Sequence, residues 1–223
     1  QNVEVGPYCV IGPGVVLGDN VVVKSHVVVR GPSNIGNGVQ IYQFATVGED
    51  TPALAYEGEE SVLEVGEDTI IREGVTIHRG MAKRGIQKTI IGSNCLLMAY
   101  VHVGHDCIVG NNVIMANNAS LSGHVEVGDF ANFGGYSGIP QFRKIAACTH
   151  IAGMSLVTKD VPAYMTVAGN PASAVGLNVE GMKRRGVSSE GRLALKQAHK
   201  LVYRSGLRVA EAIAQMHELR SKH

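Results

Sequence analysis

IGSNCLLMAYVHVGHDCIVGNNVIMANNASLSGHVEVGDF, residues 91–130, carries an apolar residue at every sixth position: Ile91, Leu97, Val103, Val109, Met115, Leu121 and Val127. The period runs on through Phe133, Ile139, Ile145, Ile151 and Val157, and backwards through Ile77, Ile71, Val65, Val47, Ile41, Ile35, Val29, Val23, Leu17, Ile11 and Val5. A strand alternates at two and a helix at 3.6, so a sustained period of six demands a repeat architecture. Short rungs stacked into a parallel β-helix satisfy it.

The register also locates the interruptions. Val47 to Val65 spans three hexads, so the stretch about 49–62 keeps the phase while losing the pattern. Ile77 to Ile91 is two residues longer than two hexads, and the stretch about 80–89 shifts the phase. Both read as loops thrown out of the coil, and ordered loops on a uniform scaffold are candidate site walls. The solenoid is expected over residues 1–174 and a helical domain over 175–223. In the latter, Leu193, Leu195, Ala198, Leu201 and Val202, then Val209, Ala212, Ile213, Met216 and Leu219, follow spacings mostly of three and four. Ser188 or Ser189 would cap the first helix, and Ser205-Gly206 would break the chain before the second.

A chain of 223 residues with no Trp and four Phe suits a narrow core of Val, Ile and Ala. A formal net charge of +1 argues against general nucleic-acid binding. Lys183, Arg184, Arg185, Arg192, Lys196, Lys200, Arg204 and Arg208 nonetheless make the tail locally basic, either a solvated helix face or a dock for an acidic protein or phosphate. Cys9, Cys95, Cys107 and Cys148 form no CxxC pair and read as reduced core filler, which suits a cytosolic protein. No stretch is long enough to span a membrane, and no signal peptide is visible. The chain opens inside a running hexad, so a preceding segment is left open.

Three hexads make one turn, so residues eighteen apart stack at the strand spacing of roughly 4.8 Å. Eighteen on from His105 is Gly123, and eighteen further is Gln141; eighteen on from Asp106 is His124. With His102, these residues line one edge of a prism. An imidazole whose tautomer is fixed by an acid is a general base near neutral pH, and an unobstructed glycine N–H can serve an oxyanion. No Ser or Cys stands beside that base, which favours direct transfer to a bound hydroxyl over a covalent enzyme intermediate. Zinc held by His102, His105, His124 and Asp106 is the rival reading, although the spacing need not aim both rings at one ion; the expectation is no metal and no cofactor.

IYQFATVGE (41–49), REGVTIHRG (72–80), HVGHDCIVGN (102–111), NNASLSGHVEVGDFA (117–131), GNPA (169–172) and NVEGMKRRG (178–186) carry a more specific resemblance. Across nearly its whole length the chain resembles the UDP-N-acetylglucosamine O-acyltransferases, left-handed β-helix enzymes that open lipid A biosynthesis, lacking only their first coil and the end of the helical tail. The resemblance implies a mainly β fold, a cytoplasmic homotrimer with sites between neighbouring β-helices, and an acyl carrier protein thioester as co-substrate. It makes His105 the base for the sugar 3-hydroxyl, Gly123 the oxyanion donor and Asp106 the partner of the base. His102, His124 and Gln141 match groups that contact sugar or acyl donor, and Asn178, Glu180, Arg184 and Arg185 match positions near the nucleotide. Gly153 falls where the family limits acyl length, and the basic tail would meet the acidic carrier.

Three positions depart from the family pattern. Ala53 and Ala55 stand where it has an acid and a lysine that grip the sugar and its phosphates, and Pro140 stands where it has a histidine. Loss of a charge-assisted contact costs about 1.5 to 3 kcal/mol. A paralogue acylating another nucleotide sugar, such as an amino sugar, a non-catalytic relative, and a coenzyme A-dependent acetyltransferase are therefore the competing readings.

Overall fold

In the computed structural model, residues 1–83 and 85–220 are described, without the side chains of 218–220. Short strands follow the hexads and stack into three sheets, of ten, seven and seven strands among the described residues, parallel except for the last pairing of the first. Successive strands go to successive faces. The chain passes from Glu4–Val5 on the first face to Val10–Ile11 on the second and Val15–Leu17 on the third, then returns beside its start. The result is the left-handed β-helix, a triangular prism, followed by a small helical part.

The eighteen-residue step holds where the coil is regular: Leu96 lies beside Ile114 and His102 beside Ser120. Thr46 pairs with Thr76 across the first excursion, and Thr76 with His102 across the second, so each loop adds length without breaking the stack. Ile71, Leu97, Met115, Phe133 and Ile151 form one column, each fully buried. Every rung is thus stabilised by the rungs above and below it. The three buried cysteines lie in or against this core, and all four are free.

Most corners hold a residue in the left-handed region. Asn94, Asn112 and Asn118 fill it at φ 56°, 57° and 62°, as expected for a side chain that tolerates that backbone. Asp106 and His124 occupy the same kind of position, at φ 58° and 61°. At the corner between third and first faces, polar side chains cap the preceding coil. Asn37 Oδ1 accepts from Asp19 N–H at 2.8 Å, Ser93 Oγ from Glu67 N–H at 3.1 Å, Asn111 Oδ1 from Ser93 N–H at 2.8 Å and Asp129 Oδ1 from Asn111 N–H at 2.7 Å.

The solenoid ends in an antiparallel hairpin, Met165–Gly169 with Ala172–Leu177, the one antiparallel pairing among the described strands. The boundary expected at residue 174 falls inside its second strand. Hexad counting misses this element because a strand that turns back leaves the six-residue register. Helix α1 (Val179–Arg184) follows at once. Asn178 caps it, its Oδ1 accepting from Gly181 N–H at 2.9 Å while its Nδ2 donates to Cys148 O at 2.9 Å. Met182 is the buried residue of this helix. Ser188 caps α2 (Ser189–Tyr203), Gly206 takes φ 73° beyond its end, and α3 (Val209–Arg220) completes the described chain. Leu219 belongs to the expected apolar stripe, but its side chain lies outside the described residues. No described helix is long and apolar enough to cross a membrane.

Candidate active site

His105 and Asp106 sit at the corner between the second and third faces, after the strand His102–Val103 and before Ile108–Val109. Both are buried, His105 with 7 % of its surface exposed and Asp106 with 3 %. His105 Nδ1–H donates to Asp106 Oδ2 at 2.8 Å. The carboxylate also accepts from Met81 N–H at 3.2 and 3.3 Å and from Ile86 N–H at 2.8 Å, donors from the second excursion. Asp106 N–H in turn donates to Thr89 Oγ1 at 2.9 Å. An acceptor-only carboxylate fixes the proton of His105 on Nδ1 and leaves the lone pair on Nε2.

That nitrogen faces Gly123. A Cβ built there would lie 2.6 Å from His105 Nε2 and 2.7 Å from Cε1, so any side chain would occupy the approach to the base. Among the described residues the Gly123 N–H donates to no acceptor. The capping ladder of the opposite corner explains why: there a polar side chain one coil up covers the equivalent N–H, and here no such side chain reaches it. An imidazole with a free lone pair and a free backbone donor therefore share one small space, an arrangement that can deprotonate a hydroxyl and receive an oxyanion.

His124 stands over His105, backbone to backbone at 2.9 Å and ring to ring at 4.9 Å, edge on. Burial pulls its pKa down and the neighbouring His105 adds to this, while Asp106 opposes. Phe142 stacks on its other side, at 4.6 Å and 11°. Gln141 lies one coil above Gly123 and is exposed; its carbonyl accepts from Arg143 Nε at 3.3 Å. His102 shares a 2.8 Å hydrogen bond with Thr76 Oγ1, and burial, then His78 at 5.4 Å, lowers its pKa. Ligand atoms of His105, Asp106 and His124 lie within 4.8 Å of one another, three of the four groups that the zinc reading names; His102, bonded to Thr76, is not among them. The Asp106 oxygens, however, are already engaged by His105 and the two amides.

Asn178, Glu180, Arg184 and Arg185 line a cleft of about 470 Å³ elsewhere, between α1 and the first face with its junction to the third. Its floor includes Asn132, His150 and Cys148. Arg185 lies over the Phe130 ring at 4.0 Å, and Glu180 pairs with Lys183 at 2.8 Å. Gly153 is on the remaining edge, stacked on Gly134 and Gly135. One chain thus gathers His105, Asp106, Gly123 and His124, and leaves the cleft and Gly153 on two other edges of the prism.

Residue arithmetic found the imidazoles, the acid and the glycine. It missed Met81 and Ile86, which act through backbone N–H groups that no side chain announces, and Phe142, whose partner His124 lies exactly one turn below. It also missed the first excursion's anchorage. His78 Nδ1–H donates to Asp50 O at 2.6 Å, and Arg79, 7 % exposed, donates to Gly48 O and pairs with Asp50.

A prism of hexad rungs that carries an oriented imidazole beside an unpaired backbone donor fits the class of hexapeptide-repeat acyltransferases. The comparisons with known proteins agree and narrow the class. The bacterial transferase hexapeptide model matches residues 1–31 and 88–123, and the model for domain 2 of the Udp N-acetylglucosamine O-acyltransferases matches 160–223. The acyl-[acyl-carrier-protein]–UDP-N-acetylglucosamine O-acyltransferase of Stutzerimonas stutzeri is 49% identical over 217 residues, 97% of this chain and 84% of that protein. LpxA of Acinetobacter baumannii superposes with a TM-score of 0.94 at 48% identity, covering 97% of this chain and 83% of that one. The UDP-N-acetylglucosamine O-acyltransferase of Moraxella catarrhalis gives 0.97 at 43%, covering 100% and 86%. The chain belongs to the UDP-N-acetylglucosamine O-acyltransferase family.

Proposed function

We propose that the protein transfers an acyl or 3-hydroxyacyl chain from acyl carrier protein to the 3-hydroxyl of UDP-N-acetylglucosamine, the first step of lipid A biosynthesis, and that it does so in the cytoplasm. The observation that carries the mechanism is His105 Nδ1–H held by buried Asp106, with Nε2 turned toward Gly123. Nε2 takes the proton of the sugar hydroxyl as its oxygen attacks the thioester carbonyl. The Gly123 N–H stabilises the oxyanion of the tetrahedral intermediate. Collapse expels the carrier's thiolate, which receives the proton from His105, leaving an ester and a free thiol. The carrier thioester is a co-substrate, and no further cofactor or metal is invoked.

The nucleotide belongs in the cleft beside α1, where Arg184 and Arg185 suit the phosphates and Glu180 a ribose or uracil hydrogen bond. Asn178 acts there through its position, since its amide caps α1 and anchors it to Cys148. His102, His124 and Gln141 would contact sugar or acyl donor, and Gly153 would leave room for the chain. Arg192, Lys196, Lys200 and Arg204 ring a groove of about 820 Å³ beside Leu193 and Met182, a surface for the acidic carrier whose affinity falls with salt.

Because base, cleft and Gly153 lie on separate edges, a complete site needs one edge of one copy against another edge of its neighbour. Such a head-to-tail contact closes into a ring, and the proposal is a homotrimer. Ala53 and Ala55 favour the second reading, acylation of a different nucleotide sugar: neither can supply a charge, and the neighbouring Leu54 is fully exposed. The experiment is acyl transfer from a set of carrier thioesters to UDP-N-acetylglucosamine and its 3-amino analogue, with His105→Ala as control. Turnover with the hydroxyl acceptor, abolished in the variant, supports the first reading. Turnover with the amine alone supports the second, and silence with both sinks the two together.

A further inference from the structure

The described residues of the second excursion, 80–83 and 85–87, meet the site with backbone groups. Met81 N–H spans both Asp106 oxygens, Ile86 N–H reaches Oδ1 at 2.8 Å, and Gln87 N–H donates to Met81 O at 3.2 Å, closing the loop so that both donors face one carboxylate. The Asp106 side chain has no exposed surface. A carboxyl group so placed needs hydrogen-bond donors in place of its water, and here two loop amides and the His105 imidazole are those donors. Gly85 packs against them. A Cβ there would lie 2.3 Å from Met81 O, 2.4 Å from Asp106 Oδ1 and 2.6 Å from Cγ. Its φ is outside the left-handed region, so the close approach, not the backbone conformation, requires glycine.

The loop is held from the far side as well. Glu59 of the first excursion accepts from Ala82 N–H at 3.2 Å and from Glu57 N–H at 2.8 Å, and Glu57 pairs with Lys83. Those backbone donors hold the Glu59 carboxyl below its usual range. The two excursions are thereby tied to each other, and through Met81 and Ile86 to the acid behind the base.

Resting on the reading of His105 as base, we infer that the second excursion is a backbone clamp on Asp106 and that Gly85 is a positioning residue acting through that carboxylate without touching substrate. The test is Gly85→Ala in the full chain, assayed with a carrier thioester and UDP-N-acetylglucosamine beside His105→Ala and Asp106→Asn. Displacement of the pair by a side chain is expected to lower kcat about 100-fold, with KM for the sugar nucleotide within twofold. In an Asp106→Asn background the same substitution should cost nothing more, because residues acting through one group are not additive. Ile86→Pro, which deletes one donor and leaves Gly85 in place, should reproduce the pattern. Wild-type kcat in Gly85→Ala, or losses that add to those of Asp106→Asn, overturn the inference.

Proton NMR reads the same contact without turnover. A downfield Nδ1–H resonance, absent in His105→Ala, should be lost or moved upfield in Gly85→Ala; an unmoved resonance overturns the clamp. His105→Ala transferring at the wild-type rate, with the resonance still lost in Gly85→Ala, would instead overturn the base while leaving the contact standing.

Discussion

Gly123 shows how far one residue decides the chemistry. Alanine there would press a methyl against His105 Nε2 without any demand on the backbone, so Gly123→Ala should retain the melting temperature and lose at least about 100-fold in transfer rate; an active variant would move the reaction away from that nitrogen. The cysteines offer a second check. Burial pushes the Cys107 thiol up to about 12, and Cys95 and Cys148 are raised for the same reason. Thiolate being the nucleophile, iodoacetamide near neutral pH should modify half-buried Cys9 first and spare Cys107 in the folded protein. Early labelling of Cys107 would contradict the packing of that rung. His102, His124, His150 and His199 all have pKa values lowered first by burial. The unfolded chain then binds protons where the folded chain does not, so stability is full above about pH 6.5 and declines as the pH falls below it. A melting temperature constant from about pH 7.5 to 5 would refute this. At this scale the sequence was readable wherever a side chain carries the role, since adding eighteen to His105 and Asp106 names their neighbours. It was silent where the backbone acts, as at Met81 and Ile86, and where one side chain serves two ends, as at Asn178.

The rung is the element of this fold, and each is too short to bury its own apolar face, so its hydrogen bonds and contacts come from the coils on either side. The period of six made the rungs legible because one apolar residue per side must point inward at every corner-to-corner step. The loops were legible only as places where the pattern lapses; their conformations rest on His78, Arg79 and Glu59, contacts between distant positions with no periodic trace. The terminal hairpin was invisible for the opposite reason, because its second strand continues the composition of the coil while reversing its direction. The capping ladder gives the element-scale prediction. Asn111→Ala removes the acceptor for Ser93 N–H and should destabilise the coil by about 1 kcal/mol, the net worth of one such hydrogen bond. Unfolding midpoints equal to wild type would mean that water replaces the cap at no cost. The first excursion gives another: Ala53→Asp with Ala55→Lys should lower the acceptor KM, and an unchanged KM would mean that this loop does not hold the sugar.

A triangular prism distributes its functional groups by edge, and here the edges divide the labour. His105 lies between the second and third faces, the arginine-lined cleft is at the first face and its junction with the third, and Gly153 is on the edge that remains. In a ring of three such prisms, each site would take its base from one copy and its nucleotide cleft from the next. Two inactive variants should therefore rescue each other. On the proposed function, His105→Ala would lack the base and Arg185→Ala a phosphate contact, and in a homotrimer of either variant every site would be damaged. When the two are unfolded together in equal amounts and refolded, a site is whole if its base comes from an Arg185→Ala chain and its cleft from a His105→Ala chain. Random assembly makes about a quarter of the sites whole, so transfer should return to about 25% of the wild-type rate. Separately refolded variants, mixed afterwards, should remain inactive. Were both halves of the site drawn from one chain, every site in the mixed trimers would hold one lesion and no activity would return.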